Sequence, residues 1–137
     1  MKRKLAALSS AALVIVAAGC GGPAGDLFEV TRSGADRNAN ITLVVSDDGF
    51  VTCDGVKKEL PPTLLLRARQ LARDLSPQAE LNLTLPAGPN SVLSYKARMA
   101  AGDIAFADTS RPLPASFTRL TAYTSDVAKQ VCGKSRS

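Results

Sequence analysis

The sequence predicts an α+β domain, in which two helices pack on one face of an antiparallel sheet of two hairpins plus a short strand. Short segments alternate between apolar and polar residues, which is typical of strands with one buried face. Two Asp-Gly pairs favour tight hairpin turns between such segments. Two longer segments repeat apolar residues every three or four positions, as amphipathic helices do. We place this single domain at residues 27–133, followed by a tail of residues 134–137.

The first half of the domain is predicted to contain four strands. The β-branched segment 41–45 and the segment 50–53 flank the turn Asp47-Asp48-Gly49, so we expect a hairpin there. Asp54-Gly55 is a second tight turn, which returns the chain along the edge of the sheet. A polar loop of residues 33–38 joins the first strand to the hairpin. The four predicted strands are residues 27–32, 41–45, 50–53 and 56–60.

A helix is predicted over residues 63–75, because the preceding prolines are tolerated in a first helical turn and Ser76-Pro77 favours an end. The alternation in residues 81–85 then predicts a short half-buried strand, and residues 91–109 a second hairpin. A final helix follows Arg111-Pro112-Leu113-Pro114. Its apolar stripe consists of Phe117, Leu120, Thr124, Val127 and Val131.

The N-terminus has the layout of a secretory signal. A cationic head, Met1-Lys2-Arg3-Lys4, precedes the apolar run from Leu5 to Ala18, which is too short to span a bilayer comfortably. The residues Val16-Ala17-Ala18-Gly19-Cys20 resemble a bacterial lipobox. This resemblance implies that residues 1–19 are a signal peptide removed before Cys20, and that the Cys20 sulfur receives a diacylglyceryl group. Ordinary signal cleavage with a spare thiol is the alternative.

Lipidation at Cys20 would place the protein on the extracytoplasmic face of the cell membrane. Two acyl chains bind a membrane firmly, whereas one binds only marginally. Residues 20–26 then form the lipidated cysteine and a short tether. The domain is therefore expected to work close to the membrane. The membrane itself is its first expected partner.

The two remaining cysteines, Cys53 and Cys132, form an even pair once Cys20 is acylated. Cysteines of exported proteins oxidise readily, so we predict a disulfide between them. A metal site lacks further ligands, since the chain contains no histidine and no C-x-x-C motif. The disulfide would hold the last helix against the first hairpin.

Composition argues against several function classes. The net charge is +5, but three of the 17 basic residues lie in the signal, which leaves 14 against 12 acidic residues, or +2. Neither this charge nor the few aromatic residues favours nucleic-acid binding. The absence of histidine removes Ser-His and Cys-His catalysis. Asp47 and Asp48 could serve a carboxylate-based hydrolase, although paired aspartates are ordinary in a turn. We expect no enzymatic activity, no metal and no cofactor.

Two surfaces are predicted contact sites of a non-enzymatic binding module. The first is the polar loop, with Ser33, Gly34, Asp36 and Arg37. The second is the outer face of the first helix, where Leu66 lies beside Arg69 and Arg73; a single exposed leucine is the plainer interpretation. The expected partner is a protein or a glycan of the cell envelope.

Scattered residues over positions 28–128 resemble emfourin, a family of inhibitors of thermolysin-like metalloproteases. They are Val30-Thr31-Arg32-Ser33-Gly34, Pro89-Asn90 with Tyr95, Gly102, and Leu113-Pro114 before a helix carrying Leu120. The resemblance implies an inhibitory loop at residues 33–38 and a protease partner. The chain also resembles the small, alanine- and arginine-rich lipoproteins of actinobacteria, which implies the envelope binding module.

Overall fold

The computed structural model describes residues 25–136. The predicted signal peptide, Cys20 and residues 21–24 of the tether lie outside this range. Within it, no helix combines the length and the apolar character that crossing a membrane requires.

All six strands form one antiparallel sheet in the order β4-β3-β2-β1-β5-β6. The predicted fold class is confirmed: both hairpins are present, and the two helices lie on one face. β1 lies inside the sheet and pairs with β2 on one side and with β5 on the other. The strands are β1 (Asp26–Gly34), β2 (Ile41–Ser46), β3 (Phe50–Cys53), β4 (Val56–Glu59), β5 (Leu93–Met99) and β6 (Gly102–Ala107).

The sheet has two distinct ends. β1 begins beside Gly25, and the β2–β3 and β5–β6 turns lie at this same end, which we call the Gly25 end. β1 finishes at the opposite end, together with residues 35–40, the β3–β4 turn and the start of β5. We call this the loop end. Nine residues of strand separate the two, a distance on the order of 30 Å.

Both helices run across the strands rather than along them. α1 (Pro62–Glu80) starts next to the β2–β3 turn, where Leu60 N–H donates to Gly49 O, and ends next to the β5–β6 turn. α2 (Ala115–Gln130) crosses the loop end and finishes beside β3. The two helices are antiparallel neighbours, joined by ion pairs between Arg67 and Asp126 and between Asp74 and Arg119.

The core lies between the helices and one face of the sheet. Alternate residues of each inner strand are buried, as the sequence alternation predicted, and the apolar stripes of both helices face them. Three aromatic rings stack in series, with centroids 5.1 Å apart for Tyr95 and Phe106 and 4.7 Å apart for Phe106 and Phe117. The core is therefore formed by residues from both halves of the chain.

The end of α1 differs from the prediction. The helix continues through Pro77 to Glu80 instead of ending at Leu75. Proline removes a helical hydrogen bond. The last turn of α1 nevertheless packs against the β5–β6 turn, and Ala79 in that turn is fully buried. Gly102, at a φ of 145°, permits this contact, because a Cβ there would collide with the carbonyl of Ala79. Tertiary packing thus overrides the local signal of Ser76-Pro77.

The predicted short strand at residues 81–85 is reduced to one parallel bridge. Thr84 pairs with Ala105, with Leu85 N–H donating to Ala105 O and Ala105 N–H donating to Leu83 O. Leu83 and Leu85 are half-buried, as their alternation predicted. Prolines and a glycine follow directly and prevent a longer ladder along β6.

The predicted disulfide is confirmed. Cys53 at the end of β3 is bonded to Cys132, just after α2, across a sequence separation of 79 residues. Cys53 is buried within the core cluster. The bond therefore connects the C-terminal end of α2 to the first hairpin at the loop end.

Replacing both Cys53 and Cys132 by alanine should lower the free energy of unfolding by about 4 kcal/mol, since the bond closes a long loop in the unfolded chain. Urea denaturation of the oxidised protein and of the double variant measures this difference. Equal unfolding midpoints would contradict a stabilising bond.

Candidate functional site

The predicted contact loop lies at the loop end of the sheet. Ser33 and Gly34 belong to β1, opposite Ser94 and Leu93 of β5, so the prediction that the loop begins at residue 33 is wrong. Continued pairing with β5 explains the two extra residues. A Cβ at Gly34 would lie 2.6 Å from Val92 O, so glycine permits the close approach of the two strands. The connecting loop is residues 35–40.

Arg32 holds this loop from the inside of the domain. Its side chain is among the largest fully buried ones and is only 1% exposed. The Nε–H group donates to Ala39 O at 2.8 Å, and Nη2 donates to Asn38 O at 2.9 Å. Nη1 reaches Ser125 Oγ of α2 at 3.4 Å. One guanidinium thus connects β1, the loop and α2.

The charge of Arg32 is balanced by carbonyl dipoles rather than by a carboxylate. Among residues 25–136, no acidic side chain lies within ion-pair distance of Arg32. Burial lowers the pKa of its guanidinium, while the neighbouring Tyr95 raises it. Arginine remains protonated at neutral pH even so. Loss of the loop conformation would deprive this buried cation of its two carbonyl acceptors, which is costly.

Residues 134–136, predicted as a tail, pack against the outside of the loop. Arg136 pairs with Asp36 at 2.8 Å, and Asn38 Nδ2 donates to Ser135 O at 3.0 Å. Lys134 pairs with Asp54 in the β3–β4 turn at 2.6 Å. The loop is therefore fixed between Arg32 on the inside and the C-terminal segment on the outside.

Five of the six loop residues are open to solvent, namely Ala35, Asp36, Arg37, Asn38 and Asn40. Within the described range, no hydrogen bond or ion pair involves the side chain of Arg37. The loop thus presents a free cation on a fixed backbone. A surface of this kind binds with little loss of conformational entropy.

The second predicted surface, on α1, lies at the Gly25 end. Leu66 is 64% exposed, as the helical geometry predicted. Arg69 donates to Asp47 Oδ1 at 2.6 Å and to Asp47 O at 3.0 Å, so it connects α1 to the β2–β3 turn. Arg73 donates to the side-chain oxygen of Gln70. The structure therefore separates the two predicted contact surfaces instead of bringing them together.

The aspartates considered for hydrolysis lie in the β2–β3 turn. Asp47 is engaged by Arg69, and Asp48 is exposed beside it. Residues 25–136 contain no group of three acidic or cysteine side chains close enough to hold a metal ion. The geometry of this turn thus serves to attach α1 to the sheet.

Sequence reasoning missed a groove between the two helices. Its cavity of about 160 Å³ is lined by Leu71, Ala122 and Tyr123 and bordered by Arg67 and Arg119. Arg67 also covers the ring of Tyr123 at 5.5 Å from the centroid. Among residues 25–136, the buried Tyr123 hydroxyl has no hydrogen-bond partner, and burial raises its pKa. No local pattern indicates this groove, because it forms only where the two helices pack side by side.

Comparison with family models, curated proteins and solved structures finds no match to this chain. The resemblance to emfourin and to actinobacterial lipoproteins gains no support from these comparisons and stays a prediction.

Replacing Arg32 by methionine should loosen the loop. The variant leaves the carbonyls of Asn38 and Ala39 without their donors, so we expect a loss of about 2 to 4 kcal/mol in unfolding free energy. Hydrogen exchange of the Ala39 amide, which donates to Asp36 O, should accelerate. The control is Arg37→Met, which removes an exposed arginine from the same loop. Equal exchange in both variants would contradict the role of Arg32.

Asp54 should make the loop end sensitive to acid. Partial burial raises its pKa, but hydrogen bonds from Lys134 and from the Thr42 amide outweigh this, and the net pKa lies below the ordinary value. Such a group stabilises the fold above the pKa of the unfolded aspartate, and this contribution disappears as the pH falls through the folded pKa. Asp54→Asn should therefore flatten the acid limb of the stability profile. Chemical denaturation between neutral and acidic pH measures it, and an unchanged profile would contradict it.

Proposed function

We propose that this protein is a lipoprotein anchored through Cys20 to the extracytoplasmic face of the cell membrane, where it acts as a non-enzymatic binding module. Residues 35–40, together with Ser33 and Gly34, form its contact surface. The main observation in support is the direction of β1, which runs from the residue nearest the tether to this loop.

The disulfide supports an extracytoplasmic location. Bonds of this kind persist in oxidising compartments and are rare in the cytosol. Cys53 and Cys132 are the two cysteines left when Cys20 is reserved for lipid. Their pairing is therefore consistent with a Cys20 sulfur that is free for a thioether.

The path of β1 supports the choice of the loop. The strand is paired on both sides and spans the sheet from end to end. A lipid anchor just before Gly25 keeps the Gly25 end near the membrane, so the loop end is the part best able to reach an envelope partner. The preformed backbone around Arg32 lowers the entropic cost of that contact.

The loop also supports a second candidate function, inhibition of a thermolysin-like protease. A loop held by buried hydrogen bonds can enter a cleft without being ordered by it. Loss of protease activity at stoichiometric amounts of this protein would favour inhibition. Full protease activity would contradict inhibition and leave the envelope binding module as the proposed function.

Crosslinking in whole cells tests the binding surface. A photo-reactive residue at Ala35, in the full lipidated chain, should capture an envelope protein or glycan. Arg37→Glu should reduce this capture, since it reverses the free cation of the loop. The matched control is Lys96→Glu, which reverses a charge at an exposed position on the open face of the sheet. It should leave the capture unchanged. Capture that is insensitive to Arg37→Glu would contradict the proposal.

Intact mass spectrometry tests the anchor separately. The mature chain should begin at Cys20 and carry the added mass of a diacylglyceryl group. Cys20→Ala should remove that mass and release the protein from the membrane fraction. An unmodified Cys20 in membrane-bound protein would contradict anchoring by lipid.

A further inference from the structure

α1 carries an exposed stripe along its outward side, which we call the α1 stripe. It consists of Pro62, Leu66, Arg69, Arg73 and Pro77, spaced three or four residues apart on one helical face; all but Arg69, which is half-buried, are exposed. Leu81 follows at the end of the helix and is 77% exposed. Residues 25–136 expose four large apolar side chains, Val56, Leu66, Leu81 and Val92, and two of them, Leu66 and Leu81, belong to α1 or its C-cap.

The α1 stripe lies next to the point where the tether enters the domain. Asp47 N–H donates to Gly25 O at 3.3 Å, and the same Asp47 accepts from Arg69 of the stripe. Cys20 is five residues before Gly25, so its sulfur lies within about 20 Å of Gly25 whatever path the chain takes. A lipid at Cys20 therefore keeps the Gly25 end of the domain, which includes the α1 stripe, within reach of the membrane.

The exposed apolar side chains, rather than the charges, distinguish the α1 side from the open face of the sheet at the Gly25 end, because Leu66 and Leu81 belong to α1 or its C-cap. The charges of the two sides are equal. The open face of the sheet carries Glu29, Glu59 and Asp103 near this end, countered by Lys57 and Arg98. On the α1 side, Asp47 is paired with Arg69, while Asp48 and Glu80 are exposed at the two flanks of the helix. Arg73 lies in the middle of the stripe and contacts only the Gln70 amide among the described residues.

We infer that the α1 stripe rests on the lipid surface, with Leu66 and Leu81 among the acyl chains and Arg73 at the phosphates. This orientation rests on the proposed anchoring at Cys20 and deepens it. Two leucines and one arginine are too few to bind a membrane alone, but they suffice to orient a domain that the lipid already holds there. The loop end then faces away from the bilayer.

Spin labelling of the full lipidated protein tests this contact. The chain is reconstituted in vesicles of phosphatidylcholine and phosphatidylglycerol, and a nitroxide is attached to Leu66→Cys or, as a control, to Val56→Cys. Val56 is 58% exposed and lies at the loop end. Cys53 and Cys132 are paired, so the introduced thiol is the one that reacts. The ratio of collisions with oxygen, which concentrates in lipid, to collisions with a water-soluble nickel chelate should be several-fold higher at position 66.

Arg73→Glu, introduced into the Leu66→Cys protein, should lower the ratio at position 66 towards that at position 56. Lys96→Glu reverses a charge on the open face and should leave the ratio unchanged. Equal ratios at positions 66 and 56 would overturn the orientation. Shielding of position 66 from both reagents would also overturn it, because it would indicate a protein occupant.

The anchor is verified on the same samples by intact mass. Protein that carries lipid at Cys20 but has a water-exposed label at position 66 refutes the orientation alone. Protein that lacks the lipid and leaves the vesicles refutes both the orientation and the proposed anchoring.

Discussion

The hydrogen-bonded pairing of β1 with β2 and β5 is the constraint on which the rest of the structure depends. Because both edges of β1 are bonded, the strand cannot slip without exposing Phe28 and Val30 and burying polar residues. This register fixes the Gly25 end and the loop end about a sheet's length apart. The two helices then cross the sheet at these ends, and the disulfide connects the second helix to the first hairpin.

Arg32 transmits the order of the sheet to the loop. Its guanidinium occupies a position that an apolar residue would fill by alternation, after Phe28 and Val30. The carbonyl groups of Asn38 and Ala39 accept hydrogen bonds from this guanidinium. Folding of the core and folding of the loop are therefore coupled. A loop of polar residues thereby gains a defined backbone, which is what a contact surface requires.

The two surfaces that the sequence suggested have different roles in this arrangement. The loop lies at the end of β1 and the α1 stripe at its beginning, about a strand's length apart. The proposed membrane anchoring would give each surface its own occupant, namely lipid for the α1 stripe and an envelope molecule for the loop. Arg69 illustrates the difference, since its bond to Asp47 makes it a structural link between α1 and the sheet.

Sequence patterns alone predicted the six strands of the sheet, the hairpin turns, the two amphipathic helices and the pairing of Cys53 with Cys132, although the short strand expected at residues 81–85 is only a bridge. These features follow from local periodicity, turn chemistry and cysteine number, which neighbouring residues carry. Tertiary contacts, by contrast, extend α1 past Pro77, add Ser33 and Gly34 to β1 and bury Arg32. Those outcomes depend on contacts of Ala79 with Gly102, of Gly34 with β5, and of Arg32 with the loop and α2. Such contacts join residues far apart in the chain, and local patterns carry no information about them.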